Sequence, residues 1–141
     1  MTDLQPLIDW FEHLTPESLD QVARFYADDA EFKDPFNEVR GTEAIQRVFR
    51  HMFTQVEEPR FAVRGQFHGD DGAMLLWDFH FHTRAPLPAK AMTARGATHL
   101  RFNAAGQIVL HRDYWDAAEE FYAKLPLLGV LMRGLQRRGR P

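Results

Sequence analysis

The 141-residue sequence predicts an α+β fold. Two observations carry that expectation. Apolar residues recur at helical spacing in the first part of the chain, and from Pro59 onward the period falls to two. Helices in one block and strands in another imply helices packed on an antiparallel sheet rather than alternating βαβ units.

Asp3 can cap a first helix, with Leu4, Leu7, Ile8, Phe11 and Leu14 on one face. Thr15-Pro16 reads as an N-cap followed by proline at the first helical position, and Leu19, Val22, Ala23 and Tyr26 continue a second, short helix. The acidic stretch YADDAEFKDPFN follows. Asp28 and Asp29 read as turn formers solvating the helix end, and Glu31 as the solvent face of a strand. Gly41-Thr42 opens a third helix, with Ile45, Val48, Phe49, Met52, Phe53 and Val56 on one face.

The strands begin with Phe61, Val63 and Phe67 alternating with polar positions, and Gly69 to Gly72 makes a turn. AMLLWDFHFHTR is a long strand, APLPAK a loop, and ARGATHLRF pairs with QIVLHRDYW through Asn103 to Gly106. Residues 1–116 read as one domain. Residues 117–141 read as a helical extension, interrupted near Pro126 and ending in an Arg-rich, solvated helix end. Leu125, Leu127, Leu128, Leu131 and Leu135 suit packing on the domain or capping the cavity mouth as a lid.

With 45% hydrophobic and 26% charged residues, the composition is that of a folded chain rather than a disordered one. A formal charge of −3 provides no basic face for phosphate contacts, so no nucleic-acid partner is expected. No segment has the length of a bilayer span or the pattern of a signal peptide, so no membrane partner is expected. The lack of cysteine excludes disulfides and thiolate metal sites and fits a cytoplasmic protein.

The element order, and the residues from Tyr26 to Ile45 (YADDAEFKDPFNEVRGTEAI), resemble the NTF2-like superfamily, and within it the SnoaL-like and ketosteroid isomerase-like branch. The later FNAAGQI and YW landmarks extend the similarity over roughly residues 4–116. The resemblance implies a cone: three N-terminal helices packed on a curved antiparallel sheet. It implies Asp34 as a general base, since the isomerase's aspartate precedes a proline. Trp10 and Thr98 then fall where the isomerase's oxyanion donors would stand, and each can donate one hydrogen bond.

On the strand at 74–82 two parities are open. Hydrophobicity sends Trp77, Phe79 and Phe81 inward. The resemblance implies instead that Met74, Leu76, Asp78 and His80 face the cone, leaving the three aromatics outside to be buried in a sheet-to-sheet homodimer. It likewise directs Gly96, Thr98, Leu100 and Phe102 inward, with His111, Asp113 and Trp115 on the last strand. The implied pocket therefore holds Asp34, Asp78, His80, His111 and Asp113 between Trp10, Phe36, Phe53, Leu76, Phe102 and Trp115.

The function expected from this set is cofactor-independent acid/base chemistry on a small apolar carbonyl or hydroxyl compound: isomerisation, cyclisation or dehydration. Asp34 acts as base, and a His/Asp pair, His80 with Asp113 or His111 with Asp78, polarises the developing oxyanion. His80 and His82 have a spacing that metal sites use, but His82 lies near the strand end and no metal is expected. The alternative is a binding domain in which the same groups orient a ligand without turnover.

Overall fold

The computed structural model describes residues 2–124 and 126–141, with backbone alone at 126 and 127. Helix α1 (Gln5–Glu12) starts where the Asp3 carboxylate accepts from the Gln5 N–H at 3.0 Å. A 3₁₀ turn (Glu17–Gln21) runs into a four-residue helix, α2 (Val22–Phe25). Strands β1 (Tyr26–Lys33) and β2 (Glu38–Arg40) come next, then helix α3 (Thr42–Gln55). Strands β3 (Val56–His68), β4 (Gly72–Thr83), β5 (Ala91–Phe102) and β6 (Ile108–Tyr114) form the meander. The chain ends in α4 (Ala117–Glu120), a 3₁₀ turn (Tyr122–Lys124) and α5 (Pro126–Arg138).

The α+β class is as expected, but the sheet is mixed. Its six strands run β2-β1-β6-β5-β4-β3, and β1 lies parallel to β6. The acidic stretch supplies that extra strand, so Tyr26 does not extend a helix, and Asp28 and Asp29 do not sit in a helix-end turn. The two aspartates are adjacent and exposed, which breaks the alternation of β1. There the strand bulges: Tyr26 faces Ile108 and Glu31 faces Leu110, five steps of β1 against two of β6. Glu31 points to solvent as expected and pairs with Arg40 across the β1–β2 hairpin.

The core lies between the concave face of the sheet and helices α1 and α3. Leu7, Ile8, Trp10 and Phe11 meet Ile45, Phe49, Leu75 and Leu100 there. At the bulge of β3 the Val63 N–H donates to the Glu12 carboxylate at 2.9 Å, tying α1 to the sheet.

On β4 the parity implied by the resemblance is reversed. Trp77 and Phe81 are buried, and Phe79 packs between Phe61 and Phe81. Met74, Leu76, Asp78 and His80 lie on the convex face, where Leu76 is 41% exposed. The register enforces this. Trp77 stands opposite Gly96 and Leu75 opposite Thr98, and residues directly opposite in a ladder share a face. The aromatic stripe expected between subunits is therefore core. Gly96 is required here, since a Cβ on it would lie 2.3 Å from the Trp77 ring.

β6 stops pairing at Tyr114, opposite Ala97, leaving the first half of β5 without that neighbour. The C-terminal segment covers this stretch. Glu120, 5% exposed, accepts from Arg95 at 2.7 Å, Lys124 donates to the Thr93 carbonyl at 2.6 Å, and Phe121 packs on Phe81. Leu128, Leu131 and Leu135 of α5 are exposed rather than packed on the domain. The calls on Leu125 and on the Leu127 side chain lie outside the described residues. Among the described residues no helix is long and apolar enough to cross a membrane.

Candidate active site at the throat of the cone

His111 and Asp113 are two apart on β6 and so share the concave face, and Thr98 stands opposite Asp113 on β5. Trp77 comes from the next strand along, and Tyr26 from the start of β1. These five side chains form one hydrogen-bonded series. The Trp77 indole donates to Thr98 Oγ1 at 2.8 Å, and the Thr98 hydroxyl donates to Asp113 Oδ1 at 2.6 Å. His111 Nε2 lies 2.8 Å from the same Oδ1, and Tyr26 Oη lies 2.8 Å from His111 Nδ1.

The donors settle the direction of the series. Burial pushes the Tyr26 phenol well above its ordinary range, reinforced by the negative charge of Asp113, so Tyr26 stays protonated. Its O–H then donates to His111 Nδ1, which places the imidazole proton on Nε2, facing Asp113. Phe32, in register with His111 across the parallel pair, packs on the ring at 4.5 Å between centroids and holds its orientation. Both ends of the series converge on Oδ1 of Asp113. Among the described residues Oδ2 accepts no hydrogen bond.

Asp113 also joins two spaces. Inside the cone, Phe11, Phe49, Trp77, Thr98 and His111 share with it a cavity of about 20 Å³, room for about one water. Outside, an open groove of about 510 Å³ runs along Lys33, Asp34, Pro35, Arg112, Asp113 and Trp115. Asp113 thus stands at the throat between them.

Of the residues expected at the site, His111, Asp113 and Thr98 come together. Asp34, Phe36 and Trp115 lie at the groove, with Phe36 and Trp115 edge to face at 5.7 Å. The Asp34 carboxylate is engaged locally: Oδ1 accepts from the N–H groups of Phe36 and Asn37 at 2.8 and 2.6 Å, and the Asn37 side chain reaches both oxygens. It holds the tight Asp34–Asn37 turn. Trp10 is buried against Phe11, Phe25, Tyr26 and Phe49 and donates to the Ser18 carbonyl at 2.9 Å, so it is core rather than an oxyanion donor. Phe53 packs on the core, and Phe102 lies toward the hairpin end of the sheet.

Neither expected His/Asp pair forms. Asp78 bonds Arg64 at 3.0 Å and His80 bonds Thr93 at 2.9 Å, both on the convex face, and Leu76 lies there too. Among the described residues no three His, Cys, Asp or Glu side chains gather as a metal site. Tyr26 and Trp77 are the members of the series that the sequence reading did not place there. Tyr26 was hidden because helical spacing ran on across the α2–β1 junction.

A SnoaL-like domain model matches residues 7–111, which ends at His111 and two residues short of Asp113. No curated protein sequence matches the chain. Solved structures share the fold. An NTF2-like protein of unknown function from Exiguobacterium sp. 255-15 is 20% identical, with a TM-score of 0.69 over 80% of this chain and 97% of its own. A protein with a ketosteroid isomerase-like fold from Catenulispora acidiphila, solved in complex with trimethylamine, is 18% identical, with a TM-score of 0.71 over 84% of this chain and 89% of its own. A proposed SnoaL-like polyketide cyclase from Shewanella putrefaciens is 18% identical, with a TM-score of 0.66 over 79% and 78%. With three-quarters of its length matched by the domain model and the cone built as described, the chain belongs to the SnoaL-like family.

Proposed function

We propose that the protein catalyses proton transfer on a small carbonyl or hydroxyl compound, by isomerisation, cyclisation or dehydration, with Asp113 as the base. One observation carries this reading: Asp113 is held at Oδ1 by Thr98 and His111, its Oδ2 accepts no hydrogen bond among the described residues, and the residue lines both the cavity and the groove. A carboxylate fixed on one oxygen and open on the other can take a proton from carbon and return it to a neighbouring atom without moving. Tyr26 and His111 act behind it by fixing its orientation. Kinship with ketosteroid isomerase-like proteins and proposed polyketide cyclases is consistent with this chemistry. Asp34 stands in this scheme as a turn-forming residue of the groove wall.

The test is solvent deuterium exchange into a panel of enolisable ketones and β-keto esters, followed by NMR. Asp113→Asn should reduce exchange by roughly 10²–10⁴-fold while ligand affinity is kept. Retained exchange in Asp113→Asn with loss in Asp34→Asn would return the role of base to Asp34.

A second reading, a binding domain without turnover, is favoured by the filled interior of about 20 Å³, which leaves the open groove as the space beside Asp113 that can take a ligand. Affinity in Asp113→Asn separates the two. A base can be replaced without weakening binding, whereas a ligand-orienting carboxylate cannot.

A further inference from the structure

Helix α5 carries an apolar stripe that the fold leaves uncovered. Leu128, Leu131 and Leu135, at i, i+3 and i+7, lie on one side of it and are 39%, 57% and 53% exposed. The helix packs elsewhere on its surface, against the preceding 3₁₀ turn (Tyr122–Lys124). A Cβ on the buried Gly129 would lie 2.5 Å from the Ala123 carbonyl oxygen, and Arg133 Nη1 donates to that same oxygen at 2.6 Å. The leucine stripe lies outside that contact and faces solvent.

The charge of this segment is one-sided. After Lys124 the chain has Arg133, Arg137, Arg138 and Arg140 and no acidic residue, although acidic residues outnumber basic ones 20 to 17 in the whole sequence. Among the described residues the arginines in ion pairs are Arg40, Arg64, Arg84, Arg95 and Arg101, so the positive charge of α5 stays uncompensated.

We propose that α5 is an interfacial helix that seats the protein on an anionic bilayer surface, with Leu128, Leu131 and Leu135 among the acyl chains and the arginines at the headgroups. At 13 residues the helix spans about 20 Å, too short to cross a bilayer but sufficient to lie along one. A second copy is a poorer occupant, because pairing two such stripes sets arginine against arginine. The groove beside Asp113 is also a poorer occupant, because its lining mixes Lys33 and Arg112 with carboxylates and the stripe is exposed rather than seated in it. The proposal departs from the sequence expectation of no membrane partner.

The test is co-sedimentation of the full chain with extruded vesicles, either phosphatidylcholine alone or phosphatidylcholine and phosphatidylglycerol in equal parts. Binding is expected to the anionic vesicles, to fall as salt rises, and to be weak on phosphatidylcholine alone. Each surface arginine raises partition by roughly fivefold, so R137E/R138E should lower it by more than about tenfold. L131E/L135E should abolish binding. All four side chains are exposed, so both variants should keep the wild-type circular dichroism spectrum and melting temperature. Equal binding to the two vesicle types, no binding to either, or unchanged binding by either variant overturns the proposal. So does a lipid-free dimer that L131E/L135E dissolves, which would assign the stripe to a second copy.

Discussion

Tyr26 Oη and His111 Nδ1 lie 2.8 Å apart although 85 positions separate them in the chain. The bond joins the first residue of β1 to the buried centre of β6 and fixes the imidazole that faces Asp113. Tyr26→Phe leaves a buried nitrogen without its donor and should cost about 1–3 kcal/mol by chemical denaturation. If the series orients Asp113, Tyr26→Phe should also lower kcat more than it raises KM. A structural role alone would leave kcat unchanged in the folded fraction.

The same phenol makes stability depend on alkaline pH. Burial raises the pKa of Tyr26 in the folded state above the unfolded value of about 10. Its contribution is then complete below about pH 10 and is lost as pH rises from there through the folded value, because the unfolded chain releases the proton first. Unfolding free energies measured on both sides of pH 10 should fall more steeply for the wild type than for Tyr26→Phe. Parallel curves would contradict the assignment.

Gly96 has no room for a methyl group beneath Trp77. Gly96→Ala should destabilise the fold by about 1–3 kcal/mol and tilt the indole away from Thr98. Tryptophan fluorescence and a melting curve report both effects. A neutral result would mean that the ring can move aside freely.

Asp34→Ala should lower stability by about 1–2 kcal/mol through loss of the turn bonds to Phe36 and Asn37. Asp34→Asn, which keeps an acceptor at Oδ1, should lose less. If deuterium exchange survives in Asp34→Asn, the residue shapes the groove rather than moving a proton.

A homodimer through the convex sheet face would bury Leu76, Phe67 and Tyr114, which are exposed there, and not Trp77. Leu76→Arg should then shift sedimentation from dimer to monomer with the fold intact. Trp77→Arg should unfold the chain instead, because it places a charge in the core.

Much of the fold was legible because period alone decides it. The stripe from Ile45 to Val56 could only be a helix face, and the two hairpins were marked by their turn residues. β1 was missed because apolar spacing through Val22 and Tyr26 suits a helix equally well, and because Asp28-Asp29 disguises a bulge as a turn. The parity of β4 shows what a single strand cannot encode. Leu76 and Leu75 are both apolar, so that pair alone leaves the face open, and the neighbour's register, Gly96 under Trp77, fixes it. The hydrophobicity of Trp77, Phe79 and Phe81 did carry the correct answer. Thr98, His111 and Asp113 were placed correctly, but their connection depended on distances across three strands.

The strand order bears on how the protein is made. β1 and β2 join the rest of the sheet only through β6, which ends at Tyr114. During synthesis the β1–β2 hairpin therefore has no link to the meander until β6 leaves the ribosome tunnel. Tyr26 and Phe32 lack their β6 neighbours Ile108 and His111 until then, and a release truncated before Ile108 would keep β3 to β5 under α1 but leave the β1–β2 hairpin unattached to that sheet.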